Sequence, residues 1–130
     1  MALLGLRHLA LKVADPQASK RFYCEAFAMR VVWEPDPDNV YLSSGVDNLA
    51  LHRATADPER GSLDHLGFVA ESPADVDRLA AELAARGVTI VAAPRDHRDG
   101  SRSFYCLDPD GNRVQVIFEP TLSRQRLATS

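Results

Sequence analysis

Two stretches of this chain place a histidine at matching positions in similar sequences. Residues 6–11 read LRHLAL and residues 63–68 read LDHLGF, and each alternates as a β-strand does. Each is followed by a stretch of helical periodicity and then by three further strand-like runs. This repetition predicts two copies of one strand–helix–strand–strand–strand unit. Histidines at equivalent places in both copies favour a metal site formed by two imidazoles under pseudo-twofold symmetry.

Length, charge and cysteine content narrow the class of protein. A chain of 130 residues fits one ordinary domain. The net charge is −3 and there is no basic block, so we expect no nucleic-acid partner and no anionic membrane partner. The N-terminal sequence has no signal-peptide pattern, no apolar run approaches a membrane span, and the two cysteines lie on different copies. We therefore expect a cytoplasmic protein with reduced thiols.

In the first copy, the predicted elements are a strand at residues 6–13, a helix, and strands at residues 30–33, 40–42 and 48–52. Asp15-Pro16 is typical of a helix cap followed by proline in the first turn. The prolines of residues 35–38 are expected to end the second strand. Residues 53–62 are polar and small, which predicts a connector.

The second copy begins at Asp64 and repeats the helix-start pattern at Ser72-Pro73. Gly87 is expected to stop the helix. Strands are predicted at residues 88–92, 103–107 and 113–118, with a polar loop through Gly100 and a tight turn at residues 108–112. A tail follows from Pro120.

The tandem pattern, the two histidines and the Asp-Pro-Asp-Gly-Asn turn resemble the vicinal oxygen chelate superfamily, which includes glyoxalases, extradiol dioxygenases and bleomycin-resistance proteins. The resemblance implies an α+β fold in which two tandem βαβββ modules form a U-shaped mixed-sheet cup. It covers residues 1–130 as a single domain, with module one at about 5–53, module two at about 63–119 and a C-terminal tail at 120–130.

The resemblance also implies metal ligands on the first and last strands of each module. These positions are His8, His65 and Gln115, and Gln115 stands where the family usually has glutamate. The matching position in copy one is Ala50, which cannot bind a metal, so His52 on the same face of the strand is a possible substitute. The implied cofactor is a divalent metal ion, which could be Fe, Mn, Ni or Zn. With a neutral amide in place of the carboxylate, we expect a lower affinity for the metal, and the loss is largest for hard metals.

Two further residues match the extradiol dioxygenase pattern. His97 lies in the loop before the penultimate strand, as an acid/base histidine does, and Tyr105 occupies the position of a tyrosine that hydrogen-bonds a substrate oxygen. The carboxylate of a dioxygenase facial triad is missing. A structural interpretation stays open for each candidate: core histidines at 8 and 65, a cavity-wall Gln115, a surface His52, a solvated His97 and a packed Tyr105.

Two functions are consistent with this pattern. One is a divalent-metal-dependent enzyme acting on a small oxygen-chelating substrate as an isomerase, lyase or ring-cleaving dioxygenase. The alternative is a metal-free, bleomycin-resistance-like protein that binds a small molecule or antibiotic. A fosfomycin-type transferase ranks lower, because Ala10 stands where those enzymes have a hydroxyl. The aromatic residues Trp33, Tyr41, Phe68 and Phe104 either line a cup for an apolar ligand or belong to the core. Open edge strands favour a homodimer.

Overall fold

The computed structural model describes residues 2–56 and 61–125, and the chain divides into two compact units, residues 1–60 and 61–130. Each unit holds one complete four-stranded mixed sheet with a helix packed on one of its faces. The predicted α+β class and the two tandem βαβββ modules are therefore confirmed. No helix within the described ranges is long and apolar enough to cross a membrane.

The first unit contains β1 (His8–Val13), α1 (Pro16–Phe27), β2 (Arg30–Asp36), β3 (Asn39–Ser43) and β4 (Asn48–Arg53). Its strand order is β1-β4-β3-β2, with β1 parallel to β4 and the other pairs antiparallel. The N-cap Asp15 accepts a hydrogen bond from the backbone N–H of Gln17 at 3.0 Å, and Pro16 opens α1 as predicted. α1 ends at Ala28, which has a left-handed φ of 56°.

The second unit contains β5 (Leu66–Val69), α2 (Pro73–Ala85), β6 (Ile90–Asp96), β7 (Arg102–Leu107), β8 (Arg113–Phe118) and the short α3 (Pro120–Ser123). Its order, β5-β8-β7-β6, repeats that of the first unit. Ser72 caps α2 through the backbone N–H of Asp75, and Gly87 ends it with a φ of +86°. The side chain of Asp108 accepts from the backbone of Asp110 and Asn112, which explains the predicted tight turn.

The two faces of each sheet have different compositions because side chains alternate along a strand. The face under the helix is apolar and forms the core. The core residues are buried: Leu11, Val13, Val40, Leu42, Leu49 and Leu51 in the first unit, and Val76, Leu83, Phe104, Cys106, Val114 and Val116 in the second. The opposite face carries His8, Tyr41 and His52 in the first unit and Tyr105 and Gln115 in the second.

Two predicted strand ends were wrong: the prolines of residues 35–38 do not end β2, and β6 runs past residue 92. β2 continues through Pro35 to Asp36, and β6 continues through Pro94 to Asp96. Each is an outer strand, where proline removes an N–H that needs no partner on the open side. The register of both strands shifts near the proline. One further difference concerns His65, which directly precedes β5 instead of lying within it.

Candidate functional site

In the second unit, the structure brings three of the predicted site residues together. Gly67, Gln115 and Tyr105 pair across β5, β8 and β7, so Gln115 and Tyr105 share the face opposite α2. The Tyr105 ring meets the His65 ring edge to face, with centroids 5.3 Å apart. The Gln115 Nε2 donates a hydrogen bond to the Tyr105 hydroxyl at 3.1 Å. His65, Tyr105 and Gln115 therefore form one cluster.

The amide of Gln115 is oriented by this bond. Because Nε2 faces Tyr105, Oε1 faces Gly67 and lies 3.5 Å from the position that a Cβ on residue 67 would occupy. Oε1 has no hydrogen-bond donor in the described part of the chain, and no buried side-chain oxygen there lacks a partner, so Oε1 reaches solvent. The Tyr105 hydroxyl, which accepts from Gln115, keeps its own proton for another acceptor.

The tautomer of a neutral His65 follows from its hydrogen-bond partner. Its Nδ1 lies 2.5 Å from Asp64 Oδ1. An ionised carboxylate only accepts hydrogen bonds, so Nδ1 carries a proton, and when the ring is neutral its lone pair is on Nε2. Metal-binding histidines commonly donate their other ring N–H to a carboxylate in this way.

His8 in the first unit has the same arrangement. Its Nδ1 lies 2.9 Å from Oδ1 of Asn48, the residue paired with it across β1 and β4. An amide oxygen also only accepts, so Nε2 of the neutral His8 ring again holds the lone pair. The His8 side chain is exposed, which leaves Nε2 accessible.

The pairing registers confirm which positions of the two copies correspond. In the first unit, Ala50 pairs with Ala10 on one side and Tyr41 on the other. In the second unit, Gln115 pairs in the same way with Gly67 and Tyr105. Ala50 is therefore the structural counterpart of Gln115, as the sequence offsets indicated. The first unit offers a methyl group where the second offers an amide.

The structure places His52 away from His8. His52 lies on the same face as Ala50, as predicted, but four residues beyond Asn48 along β4, which is about 13 Å at the rise of a strand. His52 Nδ1 lies 2.6 Å from Asn39 Oδ1, and Asn39 Nδ2 in turn donates to the Asp36 carboxylate at 3.0 Å. The first unit therefore does not bring these two histidines to one point.

His97 directly follows β6, in the predicted loop. Its Nε2 lies 2.8 Å from the hydroxyl oxygen of the buried Ser103, which is two residues from Tyr105 on the same face of β7. In the same loop, hydrogen bonds from Ser101 lower the pKa of the Asp99 carboxyl below its ordinary value. A negative charge therefore stays beside His97 over a wide pH range.

The donors fit a divalent metal of a particular kind. Within residues 2–56 and 61–125, no three His, Cys, Asp or Glu side chains cluster closely enough to hold a metal. The first unit presents Nε2 of His8, and the second unit presents Nε2 of His65 and the amide oxygen of Gln115. Each of these donors is neutral, and an imidazole nitrogen suits Zn, Ni or Fe better than Mg.

Comparison with known proteins identifies the family. The model of the Glyoxalase/Bleomycin resistance protein/Dioxygenase superfamily matches residues 5–116, and the chain therefore belongs to this superfamily. A solved lactoylglutathione lyase from Agrobacterium tumefaciens is 26% identical, with a TM-score of 0.74 over 91% of this chain and 96% of that one.

Among curated relatives, glutathione transferase FosA of Serratia marcescens is 31% identical over 88% of this chain and 80% of its own. Biphenyl-2,3-diol 1,2-dioxygenase of Sphingomonas paucimobilis is 24% identical over 97% of this chain. This chain spans only 42% of the length of that dioxygenase. The names of these relatives thus describe several different activities.

Four residues that orient the candidate side chains were not predicted from the sequence. They are Asn48 for His8, Asp64 for His65, Asn39 for His52 and Ser103 for His97. Asp64 could have been found from its adjacency to His65. The other three depend on the pairing register or on the loop path, which one sequence does not specify.

Proposed function

We propose that this protein is a divalent-metal-dependent enzyme acting on a small oxygen-chelating substrate, with His8, His65 and Gln115 as the metal ligands. The observation that carries the proposal is the orientation of the two histidines. Both direct the Nδ1 proton to an oxygen acceptor, so both leave an Nε2 lone pair unengaged. Gln115 is likewise turned so that its oxygen is free of hydrogen bonds from the described residues.

The neighbouring groups of the second unit would act on the substrate. The Tyr105 hydroxyl can donate to a substrate oxygen because its lone pair already accepts from Gln115. His97 would act as an acid or base on the substrate, and Ser103 holds its ring in place. A bound divalent ion would supply Lewis-acid stabilisation of an enolate or oxyanion. Isomerase, lyase and ring-cleaving dioxygenase chemistry are all compatible with these groups.

A metal-free binding protein is the second candidate, and one observation favours it. Ala50 and Gln115 occupy the equivalent positions of the two copies, and neither is a carboxylate. No charge at these positions would offset a divalent cation. In that function, His8 and His65 would be wall residues that hydrogen-bond a ligand.

Metal content separates the two candidates. Protein purified without an affinity tag would be analysed for metals and titrated with ferrous iron, manganese, nickel and zinc, beside the double variant His8→Ala/His65→Ala. His97→Ala is the matched control, because it also removes an imidazole but none of the proposed ligands. Near-stoichiometric metal in wild type and control, lost in the double variant, is the expected result. Absence of binding at micromolar metal would instead favour the metal-free protein.

We also propose a homodimer. Each sheet has two outer strands, β1 and β2 in the first unit and β5 and β6 in the second, whose open edges can pair with another chain. Light scattering at micromolar protein should give twice the chain mass of 14.3 kDa. A monomeric mass would refute this part.

A further inference from the structure

We propose that the turn after β8, residues 119–123, positions His97 as the acid or base of the reaction, and that Ser123 is the residue that secures this turn. We call residues 119–123 the C-terminal latch. The inference deepens the proposed function and rests on it, because it takes His97 as a group that acts on the substrate. Ser123 is a positioning residue, since it acts through the loop that carries His97.

The histidine loop and the C-terminal latch lie at the same end of the second sheet. The loop, residues 97–101, leads into β7, whose first residue Arg102 pairs with Phe118, the last residue of β8. The latch leaves β8 directly after that pair. A Cβ added to Gly100 would lie 3.6 Å from Cγ of Pro120, which is van der Waals distance. The Pro120 ring therefore closes the space beside the loop.

The loop backbone and the His97 ring are held together. The two ends of the loop are joined by a hydrogen bond from the His97 N–H to the Ser101 carbonyl at 2.9 Å. Within the loop, Asp99 accepts from the Ser101 N–H at 2.9 Å, and Gly100 turns the chain with a φ of +88°. The ring reaches the buried Ser103 hydroxyl at 2.8 Å. Moving the loop would therefore separate the imidazole from Ser103.

Ser123 stands in the place of a backbone hydrogen bond at the ends of β5 and β8. Its hydroxyl accepts from the Glu119 N–H at 3.2 Å and donates to the Ala70 carbonyl at 2.8 Å. In the first unit, the equivalent groups bond directly, from the Ala54 N–H to the Val13 carbonyl at 2.9 Å. The equivalence follows from the pairing registers of the two units. The inserted hydroxyl lets the chain leave the sheet while both backbone groups stay bonded.

The longer loop and the inserted hydroxyl occur in the same copy. In the first unit, residues 37–38 alone connect β2 to β3, this turn carries no histidine, and the bond from Ala54 to Val13 is direct. In the second unit, residues 97–101 connect β6 to β7, and the latch lies against them. The copy that carries a histidine in this connection is thus the copy that has a latch. This is the expected result if the latch serves to hold the histidine loop.

Shape and hydrogen bonds, rather than charge, keep the loop on the latch. A hydrogen bond from Thr121 lowers the pKa of the Glu119 carboxyl, and the negative charge of Asp99 in the loop acts in the opposite direction. The two carboxylates therefore repel one another. The contact depends instead on the Pro120 ring and on the two hydrogen bonds of Ser123, so these are the residues to change.

The test is hydrogen exchange of individual backbone amides, measured by NMR on the full chain. Exchange at the His97 N–H, which is bonded to the Ser101 carbonyl, reports opening of the loop. Exchange at the buried Leu83 of α2 reports unfolding of the second unit. The variants are Ser123→Ala, Ser123→Thr and Pro120→Ala. Pro73→Ala is the matched control, because Pro73 also opens a helix but lies on α2.

We expect Ser123→Ala to speed exchange at His97 and at Leu83 by the same factor, roughly tenfold, because two backbone groups lose their hydrogen-bond partner. The factors are equal because the bond breaks both when the loop opens and when the chain unfolds. Pro120→Ala should speed exchange at His97 roughly threefold, since part of an apolar contact is lost. Ser123→Thr keeps the hydroxyl and should exchange as wild type. Pro73→Ala should leave exchange at His97 unchanged.

Two results would overturn the proposal. Unchanged exchange at His97 in Ser123→Ala, with or without faster exchange at Leu83, would show that the hydroxyl does not hold the loop. A residue that stabilised only the fold would give this result. Exchange in Ser123→Thr as fast as in Ser123→Ala would show that the hydrogen bonds of the hydroxyl do not secure the latch.

Metal uptake by the same variants separates this inference from the proposed function. The latch contains none of the proposed ligands, so Ser123→Ala should take up metal as wild type does. Faster exchange at His97 in a protein that binds no metal would support the latch but refute the metal-dependent enzyme. Metal uptake with unchanged exchange at His97 would refute the latch alone.

Discussion

Replacing Gln115 with glutamate should restore the carboxylate that the superfamily usually places here and should strengthen metal binding. The substitution exchanges Nε2 for an oxygen and leaves the shape of the side chain unchanged. Nε2 now donates to the Tyr105 hydroxyl at 3.1 Å. In Gln115→Glu the hydroxyl would reverse its role and donate to the carboxylate, a charge-assisted bond. The other oxygen would keep the place of Oε1 beside Gly67.

The size of the effect follows from charge and burial. Two unit charges about 4 Å apart attract by about 4 kcal/mol at the effective dielectric constant near a protein surface. Gln115 is half-buried, so a carboxylate there loses part of its hydration before the metal arrives. Retaining about half of the attraction leaves about 2 kcal/mol, which is roughly a thirtyfold gain in affinity. In the metal-free protein, the bond from Tyr105 should keep the change in unfolding free energy within about 1 kcal/mol.

The assay is competition with a chromogenic chelator at pH 7, using zinc and manganese, on wild type, Gln115→Glu and Gln115→Leu. Manganese should gain more than zinc because it prefers oxygen ligands. Gln115→Leu should bind more weakly than wild type. If all three proteins bind both metals equally, Gln115 is not a ligand and our interpretation of its orientation is wrong. Thermal unfolding of the metal-free proteins controls for a change in the fold.

Three further predictions concern single residues. Asp64→Ala should lower the metal affinity roughly tenfold in the titration above, because His65 loses the carboxylate that orients its ring. An unchanged metal affinity would show that Asp64 does not support the site. Ala28→Gly should raise the unfolding free energy by up to about 1 kcal/mol in urea denaturation, since Ala28 has a left-handed φ of 56°. A lower unfolding free energy would show that the backbone at Ala28 is not strained. Burial raises the pKa of the Cys106 thiol to about 11, so it stays protonated below that pH. Iodoacetamide at pH 8 should therefore label Cys106 only after unfolding, and rapid labelling of the folded protein would contradict its burial.

The fold could be predicted from the sequence because local signals and repetition agreed. Asp15-Pro16 and Ser72-Pro73 start the two helices as expected, and the Asp108–Asn112 turn connects β7 to β8. Strand ends were predicted less well. Pro35 was expected to end a strand that in fact continues to Asp36, because whether a proline is tolerated depends on a strand lying at the edge of its sheet. β6 likewise runs past its predicted end at residue 92 to Asp96.

The candidate site could be predicted only in part, for a physical reason. The family resemblance indicated His65, Tyr105 and Gln115, and the structure places these three together. Which nitrogen of each histidine is available depends on partners such as Asn48, 40 positions away from His8. The stacking of Trp33 on Tyr41 depends on the irregular register between β2 and β3. Spacing along a single sequence determines neither of these.

The closed pairing within each unit has a consequence for folding. Every strand of the first unit finds its partners before residue 54, and the pairing with the longest sequence separation, of β1 with β4, is parallel. Parallel pairing closes a long loop and is the slow step of such a sheet. During synthesis, the first unit can therefore complete its sheet while the second is still being translated. A ribosome that pauses within the second unit, after residues 1–60 have emerged, would separate the two folding events in time.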